Sequence, residues 1–164
     1  MNMADFVSFV KATSLSEAVR YYPWVWPVSE TLHFIGLSLL LGAIGILDLR
    51  LIGFMKRVPV TTLRGLLPYG IAGFVINLVT GLVFFIGAPD QYLSNIAFYY
   101  KIGFLVLAGA NALFFETTQG HRLLTLEAGG ASPTAFRIAG AVSILSWFMV
   151  LYWGRMLPFV GNAF

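Results

Sequence analysis

From Gly65 to Pro89 the chain carries no charged residue. A run of this kind is what a helix needs to cross the roughly 30 Å hydrocarbon core of a bilayer, at about 20 mostly apolar residues per crossing. Three further stretches share the character. The predicted spans cover about 27–51, with an uncharged heart from Phe34 to Leu47, then about 66–88, about 95–115 and about 137–157. Composition agrees: 59% of the 164 residues are hydrophobic and 10% are charged. A soluble domain carries about 25% charged residues, and this chain in water would expose large apolar patches. The sequence therefore predicts one all-α domain, an integral membrane four-helix bundle, preceded by a short interfacial segment over residues 1–23.

That segment does not span. Asp5, Lys11 and Glu17 interrupt any secretory signal core. Ser14-x-x-Glu17 reads as a capping box opening a short helix that Pro23 ends. Phe6, Phe9, Val10, Leu15 and Val19 suit a membrane surface; a loosely ordered arm is the other reading.

The charges suggest an orientation. Lys56, Arg57 and Arg64 sit in the first loop with Arg50 at its edge, and Arg122 and Arg137 flank the third. The second loop, Ala88 to Ser94, has only Asp90. Positive loops stay in the cytoplasm, so both termini are expected outside. The aromatic residues share one parity. Tyr21, Tyr22, Trp24 and Trp26, then Tyr92, Tyr99 and Tyr100, then Tyr152 and Trp153 all fall on the outer side, as an interfacial belt would. Small residues at four-residue spacing predict the helix contacts: Ser38 and Gly42, Gly73, Asn77 and Gly81, Ala108 and Ala112, Ala139 and Ser143.

Several function classes are excluded. With no cysteine there is no disulfide, thiolate metal site or cysteine nucleophile. The net charge of +3 is spread over loops and forms no basic face for nucleic acid. No grouping of Ser, His and acid shares a membrane depth, which disfavours a hydrolase.

Function must then sit in the polar residues at membrane depth, which are costly to keep there. Glu30 and His33 are at i and i+3 on one side of the first span, in the outer half. A lone span histidine is read either as a structural hydrogen-bonding group or as an axial haem b ligand. His121 lies on the opposite side of the membrane, so a second ligand would be Met149 or Met156, or His33 of a second copy; the same donors would suit Cu(I). Both methionines also read as core packing. Lys101 could snorkel or pair with Glu30, placing Glu30, His33, Lys101 and Arg155 around an outer pocket for an anionic ring system. Farther in, Asp48 is expected to pair with Arg137, with Arg50 and Glu116 at the same level, as a register-fixing cluster. Asn77 and Asn111 are expected to hydrogen-bond to each other.

Glu30-x-x-His33-x-x-Gly36, Gly42 and Leu47-Asp48-Leu49-Arg50-Leu51-x-Gly53 resemble the first span of a bacterial family of small four-helix inner-membrane proteins of unknown function. Gly73-Phe74, Thr80-Gly81, Pro89-x-x-Tyr92-x-x-Asn95-x-x-Phe98-x-x-Lys101 and Ala108-Gly109-x-Asn111-Ala112-Leu113 extend the likeness over about Trp24 to Glu116. The resemblance implies a bacterial cytoplasmic membrane and one compact bundle. Relatives often have His near the position of Glu116, where this chain departs. A looser likeness joins the early-span His to small b-type cytochromes and copper-resistance-like membrane proteins. Three functions follow as expectations: a haem-binding or redox protein using His33, an accessory subunit of a homo-oligomer or larger membrane complex, or a proton-coupled transporter using Glu30, Asp48 and Lys101.

Overall fold

The computed structural model describes residues 2–126 and 128–160. Among these, every regular element is a helix, in the order α1 Met3–Lys11, α2 Ser14–Tyr21, α3 Val25–Ile52, α4 Val60–Arg64, α5 Leu67–Gly87, α6 Pro89–Leu93, α7 Ile96–Leu124 and α8 Thr134–Met156. Four segments, α3, α4–α5, α7 and α8, are long and apolar enough to cross a membrane. The chain is a multi-pass helical membrane protein.

The ends of the helices follow local chemistry. Asn2 and Asp5 form a capping box at α1. At α2 the cap is Thr13, whose hydroxyl accepts from the Ser16 amide, so the expected Ser14–Glu17 box is one residue out of register. Gly53 ends α3 in the left-handed region, at φ 113°, where a side chain would be strained. Asn95 caps α7 through the Ala97 amide, and its Nδ2 also donates to the Leu157 carbonyl at the end of α8. Helical structure extends beyond the expected spans, including α4 in the first loop. The second loop folds as α6 behind Pro89, which suits a first helical position. Helix α7 continues to Leu124, well past the expected end near residue 115; its extension inserts Leu123 among the inner-end core residues Leu63, Phe115 and Phe136.

The contact faces also differ from the expected stripes. Ser38 and Gly42 are exposed, and a Cβ on Gly42 or Gly81 would meet nothing. Helices α3 and α5 instead meet where Gly36 faces Gly73: a Cβ on Gly73 would lie 2.5 Å from the Gly36 carbonyl oxygen and 2.7 Å from the Leu40 nitrogen. Helix α8 reaches α3 through Gly140, whose Cβ would lie 2.9 Å from the Asp48 carbonyl oxygen. Thus α3 is the central helix, α5 packs on one side of it, and α8 with α7 on the other. Helices α5 and α7 scarcely touch along their length, which leaves one side of the bundle open.

The belt residues do share an end. Tyr100 stacks on Trp153 at 4.5 Å, Tyr152 meets Trp153 edge-on, and Trp26 lies on Phe84. Phe85 and Phe98 stack at 5.9 Å, so aromatic side chains bridge the α5–α7 gap here. The interfacial segment is a hairpin of α1 and α2. It docks through a hydrogen bond from Ser16 Oγ to the Ile86 carbonyl and an ion pair between Lys11 and Asp90 at 3.0 Å.

Candidate functional site

The half that carries the aromatic belt, the outer half in the orientation expected from the loop charges, holds His33. Its Nδ1 lies 2.7 Å from Thr80 Oγ1. That hydroxyl already donates to the Ile76 carbonyl at 2.8 Å, so it accepts from the histidine. The proton is thereby placed on Nδ1, and Nε2 keeps its lone pair. The ring packs edge-on against Phe84. Lys101 is close enough for its charge to act on this ring. Among the described residues, however, Lys101 and Glu30 form no ion pair. Glu30 is exposed and lies nearer α6: burial, and then the Glu30 charge, push the Tyr92 hydroxyl up to about 12.

The other residues expected around this pocket are not brought to it. Gly140 fixes the face of α8 that meets α3. Met149 follows nine residues later, about two and a half turns on, so it points from the opposite face, and Met156 falls close to the same line. Neither is offered to His33 by this chain. Arg155 is exposed, with its guanidinium over the Phe159 ring at 5.2 Å. No group of three or more His, Asp or Glu among the described residues could hold a metal ion. A haem placed on His33 would thus lack a second ligand from the same chain.

The inner half is organised differently from the expected cluster. Arg50 is fully buried and donates to the Val58 carbonyl at 3.1 Å and to Ser132 Oγ at 3.2 Å. It ties the first loop to the third. Arg137 is exposed and makes no ion pair with Asp48. Glu116 pairs with Arg64 at 2.6 Å, joining α4 to α7. The two asparagines do not meet either. Asn77 Nδ2 donates to Gly73 within its own helix, and Asn111 Nδ2 donates to Ala139 on α8. The reason is the open side: α5 and α7 are too far apart for the pair.

Asp48 is the residue whose setting was not legible. It is 5% exposed. Ser143 on α8 hydrogen-bonds its carboxyl, while Oδ2 has no partner among the described residues. This carboxyl lines an apolar cavity of about 290 Å³ in the gap between α5 and α7. Phe74, Asn111, Phe115, Ser143 and Trp147 line it too, and Arg64 and Glu116 stand at its inner end. Glu30 and Asp48 occupy the same azimuth of α3, eighteen residues or about five turns apart. Helix α8 covers that face at Asp48 and leaves it open at Glu30.

The cavity combines what a small-molecule site needs: concave apolar walls and a few converging polar groups. An acid with an unused oxygen in such a place offers a site for a proton, a cation or a hydrogen-bond donor. Compared with known proteins, the chain matches no family model, no curated protein and no solved structure.

Proposed function

We propose that the protein is a small, non-enzymatic membrane carrier that binds an apolar molecule with a cationic or hydrogen-bond-donating group against Asp48, exchanging it for a proton. One observation carries this reading: a buried carboxyl, one of whose oxygens has no partner among the described residues, lines an apolar cavity on the open side of the bundle. An acid kept at membrane depth is costly. A purely structural acid would have both oxygens satisfied. The location proposed is a bacterial cytoplasmic membrane with both termini outside, supported by the loop charges and by the resemblance of the first span.

The test is calorimetric titration of the protein in lipid nanodiscs with 2-phenylethylamine and with benzyltrimethylammonium. Wild type is expected to bind at least one of these probes and Asp48→Asn neither, with pH-driven uptake into proteoliposomes lost in the same variant. Equal binding by the variant, or no binding by wild type, would sink the proposal.

A second reading keeps His33 as a haem ligand. The anchored ring, whose Nε2 keeps its lone pair, supports it, and the second ligand would come from His33 of another copy. A reduced-minus-oxidised visible spectrum of wild type beside His33→Ala decides it: a haem band that vanishes with the histidine favours this reading, and a colourless wild type removes it.

A further inference from the structure

Lys101 lies about one and a half turns inside α7, at the outer end of the α7–α8 interface. Its stem runs along α8 where Gly154 leaves room: a Cβ at position 154 would lie 3.5 Å from Nζ, 3.7 Å from Cε and 3.8 Å from Cδ. The side chain is half-buried. No acid among the described residues pairs with it, because Glu30 faces α6, and Asp90 is taken by Lys11. The residue next to Gly154 carries a second unused donor. Trp153 Nε1 is buried with no hydrogen-bond partner among the described residues, while its ring stacks on Tyr100, the neighbour of Lys101. Arg155 adds an exposed guanidinium at the same end.

Two donors, one of them charged, therefore lie at the same end of the α7–α8 interface without an acceptor among the described residues. A buried donor left unmade costs about 1–3 kcal/mol, more for a charge, so the arrangement calls for an acceptor that the described residues do not supply. That acceptor must be anionic to answer the ammonium. It must also reach a site flanked by the exposed rings of Tyr100 and Tyr152 at headgroup depth. We infer that Lys101 and Trp153 form a binding site for the oxyanion headgroup, carboxylate or phosphate monoester, of an outer-leaflet amphiphile. The acyl chain would run down the outside of α7 and α8, whose exposed faces there include Ile102, Val106 and Phe148. This site is separate from the Asp48 cavity and does not depend on that reading.

The experiment is thermal unfolding of the purified full chain in a neutral detergent, titrated with oleate, with dodecyl phosphate and with inorganic phosphate. Wild type is expected to show a saturable rise in midpoint with one or both amphiphiles. Lys101→Met is expected to start at or above the wild-type midpoint, since an unanswered cation is gone, and to respond about tenfold more weakly, the loss of one charge-assisted hydrogen bond. Trp153→Phe keeps an aromatic ring to stack on Tyr100 and removes the donor. It should fold and respond more weakly, which keeps the test decisive if the lysine variant does not fold. An equal response to inorganic phosphate would assign the same oxyanion site to a free anion. A flat wild-type response, or equal responses in wild type and both variants, would overturn the inference.

Discussion

At the scale of single residues, Asp48 and Arg50 illustrate how two neighbours in sequence acquire unlike roles. Arg50 is buried and hydrogen-bonded to two loops. Its removal leaves the Val58 carbonyl and Ser132 without that donor, and the inner plug of Leu51, Val60 and Phe136 loses its polar tie. Arg50→Leu is expected to destabilise the protein by about 3 kcal/mol, the scale for breaking a buried charged network, read as a lower unfolding midpoint in detergent. Asp48 has one oxygen that meets Ser143 and one without a partner among the described residues. Asp48→Asn keeps the shape and a Ser143 partner and removes the charge. It is expected to fold with an unchanged or higher midpoint while losing the ligand response. A large loss of stability in Asp48→Asn would mark the carboxylate as a structural group.

At the scale of helices, packing rests on a few close approaches. Gly73→Ala forces a Cβ against the backbone of α3, and backbone cannot swing aside as a side chain can. Overpacking of this kind costs about 1–3 kcal/mol or more. Gly42→Ala faces open space and is expected to be neutral or mildly stabilising, because Ala is the better helix former by about 1 kcal/mol in water. Paired unfolding curves check both, and equal effects would contradict the assigned contact faces. The contrast also shows what was legible. The spans were, because 20-residue apolar runs carry a direct physical signal. Both stripes in α3, Ser38–Gly42 and Gly36–Leu40–Ala43, have small residues at helical spacing, and spacing alone does not say which one meets a neighbour. The same limit hid the Asp48 cavity. Its carboxyl was visible in the sequence, but the gap between α5 and α7 belongs to tertiary packing.

The hairpin of α1 and α2 is docked in part by an ion pair, and that part of its hold depends on acidity. The Lys11 ammonium keeps the Asp90 carboxyl below its ordinary value of 3.8. A carboxyl with a depressed folded pKa contributes its full stabilisation above the ordinary value and loses it as pH falls through the folded one. Docking of α1 is therefore expected to be constant from neutral pH down to about pH 4 and to loosen below it. Both partners are substantially exposed, so the change is small, and salt should mimic it. Hydrogen exchange at the α1 amides follows this directly, with Asp90→Asn expected to remove the pH dependence.

For the whole molecule, the decisive feature is the open side between α5 and α7. Aromatic rings bridge it at the outer end and the Arg64–Glu116 pair closes it at the inner end. Between these the cavity opens on the side of the bundle, so on the proposed reading its ligand would arrive from lipid and not from water. Carbodiimides test this, since they attack carboxyls and come in membrane-soluble and water-soluble forms. Dicyclohexylcarbodiimide, delivered through lipid, is expected to modify Asp48 and to be blocked by a bound cationic probe. A water-soluble carbodiimide is expected to modify exposed acids such as Glu30 and spare Asp48. Peptide mass mapping reads out both. Glu116→Gln breaks the inner closure by a near-isosteric change at the rim of the cavity, and the exposed pair contributes about 1 kcal/mol or less to stability. In that variant the fold should persist while the water-soluble reagent gains access to Asp48. Labelling of Asp48 by the aqueous reagent in wild type would instead place the entrance at the Arg64–Glu116 end, and that pair would then not be a closure.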